Sequence, residues 1–80
     1  MDLSKVKWGI IGCGKIAYKF ASDLALIDSA EITAVASRSL QKGIEFAQKY
    51  NSIKVYGSYD ELFLDKDVEI VYIATPHMQN

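Results

Sequence analysis

Eighty residues, half of them apolar and with 9 basic against 10 acidic side chains for a net charge of −1, make at most one small domain. The interspersed signs supply neither the basic face that nucleic acid needs nor a polybasic membrane signal, and no apolar run approaches the length of a bilayer span. Cys13 is the only cysteine, which excludes an internal disulfide and a multi-cysteine metal site; with no room for a signal core after Met1, the chain reads as soluble and cytoplasmic.

Val6, Trp8, Ile10 and Ile11 form a mostly apolar run of strand length, and the chain passes from it straight into Gly12-x-Gly14-x-x-Ala17. In a turn that holds a dinucleotide pyrophosphate, the first glycine permits the tight bend and the second lets a phosphate approach bare backbone. A small third residue lets the helix pack close on its strand, and Ala17 fills that place. Ile16, Ala17, Phe20, Ala21, Leu24 and Ile27 then recur at helical spacing. A helix opening near Gly14 aims unpaired N–H groups and its positive end at an anion. Gly12, Gly14, Lys15 and Ile16 are therefore candidate cofactor-binding residues; Lys15 either neutralises pyrophosphate charge or is a solvated first-turn residue. Cys13, between the glycines, has no base or resolving cysteine beside it and reads as an inert position.

Asp28 and Ser29 break the helical pattern, and Glu31 to Ala36 is a β-branched, apolar second strand. Ser39 caps a helix over Leu40 to Tyr50, with Leu40, Ile44, Phe46 and Ala47 expected on its buried side. The tip of that second strand is where an NAD site carries an acidic residue for the ribose hydroxyls. Here it reads Ala36-Ser37-Arg38-Ser39, with no carboxylate. A hydroxyl and a forked, permanently charged guanidinium suit a 2′-phosphate, so Ser37 and Arg38 point to NADP in preference to NAD. Lys42, one turn into the following helix, either approaches the same phosphate or is an exposed helical lysine.

Ile53 to Tyr56 gives a short third strand; Ser58 and Glu61 have capping-box spacing ahead of a short helix through Leu62 and Phe63; Val68 to Ala74 reads as a buried fourth strand. Thr75 and Pro76 stop it. Together with His77 they follow a strand that flanks the expected topological switch point, where ligands bind, so all three are cofactor-contact candidates. Trp8, Tyr18, Tyr50, Tyr56, Tyr59 and Tyr72 lack a basic stripe between them and read as packing residues.

The order β-α-β-α-β-α-β with continuous apolar runs predicts an α/β fold: the N-terminal portion of a Rossmann doubly wound parallel sheet, strand order 3-2-1-4. Ending at the fourth strand leaves one face and one edge uncovered, which predicts a partial NAD(P)-binding domain over residues 1–80 of a longer parent. The two functional classes that fit are an NAD(P)-dependent oxidoreductase and a non-catalytic NAD(P)-binding sensor. A methyltransferase fits poorly, because the acidic ribose anchor is absent.

Trp8 to Ala17, Ala34 to Arg38, Tyr56 to Leu62 and Val71 to Pro76 together resemble the glucose-fructose oxidoreductase / inositol dehydrogenase (Gfo/Idh/MocA) family, in the same order and across nearly the whole chain. That resemblance implies an N-terminal Rossmann domain followed by a C-terminal α/β substrate domain. It also implies hydride transfer between nicotinamide and a small-molecule substrate: a sugar, cyclitol or trans-dihydrodiol. The family's catalytic lysine lies in a Glu-Lys-Pro motif beyond Asn80, so no catalytic residue is expected here. The parent is expected to be a homo-oligomer with no nucleic-acid or membrane partner. Three positions depart from the family pattern: Glu69 replaces the usual Asp, His77 stands where Asn is common, and Asn80 stands where His is usual.

Overall fold

The computed structural model describes residues 5–52 and 54–74. Three β-α units and a last strand follow one another: β1 (Val6–Ile11), α1 (Lys15–Leu24), β2 (Ala30–Ala36), α2 (Leu40–Tyr50), β3 (Lys54–Tyr56), α3 (Tyr59–Phe63) and β4 (Ile70–Ile73). All pairings are parallel and the strand order is β3-β2-β1-β4, as the sequence predicts. Parallel strands need crossovers, and each helix supplies one.

The strands bury side chains on both faces. Ile10 of β1 joins Ile32 and Val35 of β2 beneath α1 and α2, where Ala17, Ala21, Leu24, Phe46 and Ala47 meet them. Ile11 joins Ala34, Ala36 and Leu62 on the opposite face, beneath α3. The change from Ile32 to Ala34 across faces follows from a register shift, since Trp8 pairs with Ile32 and Gly9 with Ala34, leaving Thr33 without a partner on β1. Small residues on that face let α3 sit close: a Cβ on Gly9 would lie 2.9 Å from both Leu62 Cδ2 and Val68 Cγ1.

The aromatic residues pack as expected. Phe20 stacks on Tyr72 at 3.8 Å between centroids with Trp8 edge-on to it, while Tyr18, Phe46 and Tyr50 form a second group. Ser39 Oγ accepts from the Lys42 N–H and Ser58 Oγ from the Glu61 N–H, so both expected serine caps form.

Three details differ from expectation. Helix α1 ends at Leu24, and Ile27 lies beyond it, exposed. On α2, Leu40 and Ile44 are 52% and 43% exposed, while Gly43, Phe46 and Ala47 are buried. Glycine has no side chain for a hydropathy stripe to register, yet Gly43 is the residue pressed on β3: its Cβ would lie 2.9 Å from Val55 Cγ1. The fourth strand is shorter and less buried than Val68 to Ala74, with Ile73 61% exposed. Val68 is taken up by a turn onto the Asp65 carbonyl, and among the described residues β4 is an edge that no further strand covers. Among the described residues no helix is long and apolar enough to cross a membrane.

Candidate functional site

The carboxyl ends of β1 and β2 open onto a cleft of about 220 Å³ lined by Gly12, Cys13, Gly14, Ser37, Arg38, Ser39, Lys42, Tyr59 and Ala74. The ladder runs up to its floor: the Gly12 N–H donates to the Ala36 carbonyl at 2.8 Å. Gly12 then takes φ 96°, a left-handed conformation that costs a side-chain-bearing residue about 1–2 kcal/mol, and the chain leaves the sheet there. Gly14 is different, because its φ of −92° is open to any residue. A Cβ on it would meet no atom within 4 Å. Neither backbone nor packing needs glycine at position 14, so the open space in front of it is what distinguishes the position.

Gly14 is also the N-cap of α1, and this helix start is unlike the other two. It has no side-chain cap, while Ser39 and Ser58 cap α2 and α3. The first hydrogen bond of α1 runs from Tyr18 N–H to the Gly14 carbonyl at 3.1 Å, so the amides before Tyr18 face outward as donors at the positive end of the helix. An anion is the chemical complement of that arrangement.

At the tip of β2, Ser37 is 6% exposed and fixed in place: its N–H donates to the Tyr56 carbonyl, and its Oγ accepts from the Ser39 N–H at 3.1 Å. Arg38 and Lys42 are exposed, and among the described residues neither forms an ion pair. The Arg38 guanidinium carbon lies 5.8 Å from the centroid of the Tyr59 ring. Burial lifts the Cys13 thiol above its ordinary pKa, with a Ser37 hydrogen bond and the Lys42 charge pulling the other way, which fits an unreactive thiol.

Gly12, Gly14, Ser37, Arg38 and Lys42 thus converge on one cleft that, among the described residues, no carboxylate lines. Lys15 and Ile16 do not join them: their side chains line a separate groove between α1 and β4 with Phe20 and Tyr72. The free N–H groups of a helix's first turn point along its axis while its side chains radiate from it, so the amides and these side chains face different surroundings. Thr75, Pro76 and His77 lie outside the described residues. Tyr59 is the lining residue that sequence reasoning assigned to packing alone. The Ser58 cap fixes it as the first residue of α3, but nothing in its spacing tells of the cleft.

Residues 6–80 match the profile of an oxidoreductase family with an NAD-binding Rossmann fold (GFO_IDH_MocA). Over 77 residues the chain is 48% identical to trans-1,2-dihydrobenzene-1,2-diol dehydrogenase of Mus musculus and 43% identical to that of Homo sapiens, in each case covering 94% of this chain and 23% of the relative. The crystal structure of KijD10, a 3-ketoreductase from Actinomadura kijaniata in complex with NADP, superposes with a TM-score of 0.84 at 30% identity, over 91% of this chain and 23% of that one. GenD2 from gentamicin A biosynthesis, in complex with NAD, shares the fold at a TM-score of 0.83 and 23% identity, over 91% of this chain and 21% of that one. The chain spans less than a quarter of the length of each of these proteins.

Proposed function

The chain belongs to the Gfo/Idh/MocA oxidoreductase family, whose NAD-binding Rossmann fold it forms, and on that premise we propose that it is the cofactor-binding part of a dehydrogenase or reductase that prefers NADP. The observation that carries the preference is the tip of β2, where Arg38 and Lys42 stand at a cleft that no carboxylate lines among the described residues. A ribose with free hydroxyls calls for an acceptor there, and a 2′-phosphate calls for cations.

The residues fit the group. Gly12, Gly14 and the uncapped start of α1 take the pyrophosphate, with the open space before Gly14 admitting it. Ser37, Arg38 and Lys42 take the adenosine phosphate, Lys15 adds positive charge near the helix end, and Thr75, Pro76 and His77, next in sequence after β4, supply further cofactor contacts. A bound nicotinamide supplies the hydride chemistry. What these residues do is bind it, orient it and decide which dinucleotide is held.

The rest of the Rossmann domain, an α/β substrate domain and the catalytic residues belong, in this reading, to a longer parent protein. The substrate class is a hydroxyl- or carbonyl-bearing small molecule: a sugar, a cyclitol or a dihydrodiol. A trans-dihydrodiol is the first to assay, given the dehydrogenases of that name among the relatives. Calorimetric titration of the full-length protein with NADPH and NADH tests the reading. Tighter NADPH binding is expected; equal affinity removes the NADP preference, and no binding of either to a folded protein removes the cofactor site.

A further inference from the structure

Arg38 has the charge a 2′-phosphate needs, but a long side chain free in water must be ordered before it can form two directed bonds. Something on the protein has to hold it, and among the described residues no carboxylate does. The contact it does make is with an aromatic face: the guanidinium carbon is 5.8 Å from the Tyr59 ring centroid, within cation–π reach. Tyr59 is well placed to be rigid. It is half-buried against the second core group of Ile11, Ala34, Ala36 and Leu62, and its backbone starts α3 behind the Ser58 cap. Arg38 and Tyr59 together form the shared wall of two adjoining clefts, one reaching Gly12 and Gly14 and the other floored by Gly57 and Ser58.

We propose that Tyr59 is a specificity-determining positioning residue: its ring is the platform that holds the Arg38 guanidinium toward the adenosine 2′-phosphate, and so it sets the preference for NADPH over NADH without touching the phosphate itself. A planar guanidinium stacks on such a face while leaving its edge N–H donors free, which a carboxylate partner would consume. The inference rests on the reading that Arg38 binds the 2′-phosphate.

The test is calorimetric titration of the full-length protein with NADPH and NADH, in wild type, Arg38→Ala, Tyr59→Phe, Tyr59→Leu and the Arg38→Ala/Tyr59→Leu double variant. Tyr59→Leu is expected to weaken NADPH about two- to fivefold, the size of an exposed cation–π contact, and to leave NADH unchanged. Tyr59→Phe keeps the ring and should keep the wild-type ratio; in the double variant the Leu substitution should add nothing to the loss from Arg38→Ala. If Tyr59→Leu weakens both cofactors alike, Tyr59 has a structural role only and the proposal fails. It also fails if Tyr59→Phe loses the ratio, or if Tyr59→Leu keeps it while Arg38→Ala abolishes it. Should Arg38→Ala itself leave the ratio untouched, the NADP reading falls, and the two failures are thereby distinguished. Where Tyr59→Leu does not fold, Tyr59→Trp decides: a stronger face should raise the NADPH preference, and an unchanged or lowered ratio overturns the inference.

Discussion

The loop that joins α3 to β4 and the cleft at the ends of β1 and β2 both gather cations, and they treat them in opposite ways. In the loop region, Lys54 Nζ sits 3.0 Å from Asp65 Oδ2 and 2.8 Å from Asp67 Oδ2. Asp65, whose side chain is 4% exposed, also accepts from the Tyr56 hydroxyl at 2.7 Å and from the Asp67 N–H at 2.8 Å. Lys54, Tyr56, Asp65 and Asp67 thus each have a partner within the chain. In the cleft, Arg38 and Lys42 have no ion pair among the described residues, and α1 begins without a side-chain cap. Positive charge alone therefore says little about where a ligand goes; positive charge left without an anion says more, because the missing partner has to come from outside.

The largest expected effect separates the two regions by what each substitution changes. Arg38→Ala removes a charge-assisted contact of about 1.5–3 kcal/mol, so NADPH should bind tenfold or more weakly to the full-length protein while NADH binding and the melting temperature hold. Asp65→Asn should do the reverse, lowering the melting temperature and leaving the NADPH-to-NADH ratio alone. A ratio that moves with Asp65→Asn, measured by the same titrations, would break the division between the regions.

The glycines sharpen the same contrast at the level of space. Gly9→Ala forces a methyl to within 2.9 Å of Leu62 and Val68, and over-packing of that kind costs about 1–3 kcal/mol, read as a drop in unfolding free energy in urea. Gly14→Ala meets no atom within 4 Å, so its cost should be limited to a poorer N-cap, about 1 kcal/mol or less. It should nonetheless weaken NADPH and NADH together, since it fills the pyrophosphate approach that both require. Intact affinity for both in Gly14→Ala would mean that the open space is not used.

Much of this was legible from the chain because the signals are local. The apolar run ending at Ile11, the glycine turn and the helical recurrence from Ile16 set the first unit, and continuous apolar strands set the parallel order that brings Gly12 and Gly14 beside Ser37 and Arg38. Lys42 follows because the cap at Ser39 fixes the turn of α2 on which it stands. What escaped depends on contact between segments. The buried side of α2 is centred on Gly43, which carries no hydropathy, and the exposure of β4 depends on what lies over it. The approach of Tyr59 to Arg38 arises only when α3 crosses back over β2, and the Lys54–Asp65–Asp67 group likewise forms only when the α3–β4 loop returns to β3.

The smallest expected effect concerns that loop group and its pH dependence. The Tyr56 hydroxyl, the Asp67 N–H and Lys54 together hold the Asp65 carboxyl below the usual carboxylate range, and the two aspartates hold Lys54 above the usual lysine range. A carboxyl with a depressed folded-state pKa contributes stability that is complete above its unfolded value of about 3.9 and is lost as pH falls through the folded value. A lysine with a raised pKa contributes stability that is complete below about 10.4 and is lost as pH rises through its folded value. The melting temperature of the full-length protein should therefore be flat near neutrality and fall on either side, modestly, because Lys54 and Asp67 remain partly in water and salt screens them. Asp65→Asn should remove the share of the acid limb that belongs to this group, and added salt should shrink what it removes. The open cleft gives a different signature: without an internal acid partner, Arg38 should contribute nothing to either limb, and Arg38→Ala should leave the profile unchanged. A profile altered by Arg38→Ala would mean that its charge is already answered within the protein, and the contrast between the two regions would then fail at its centre.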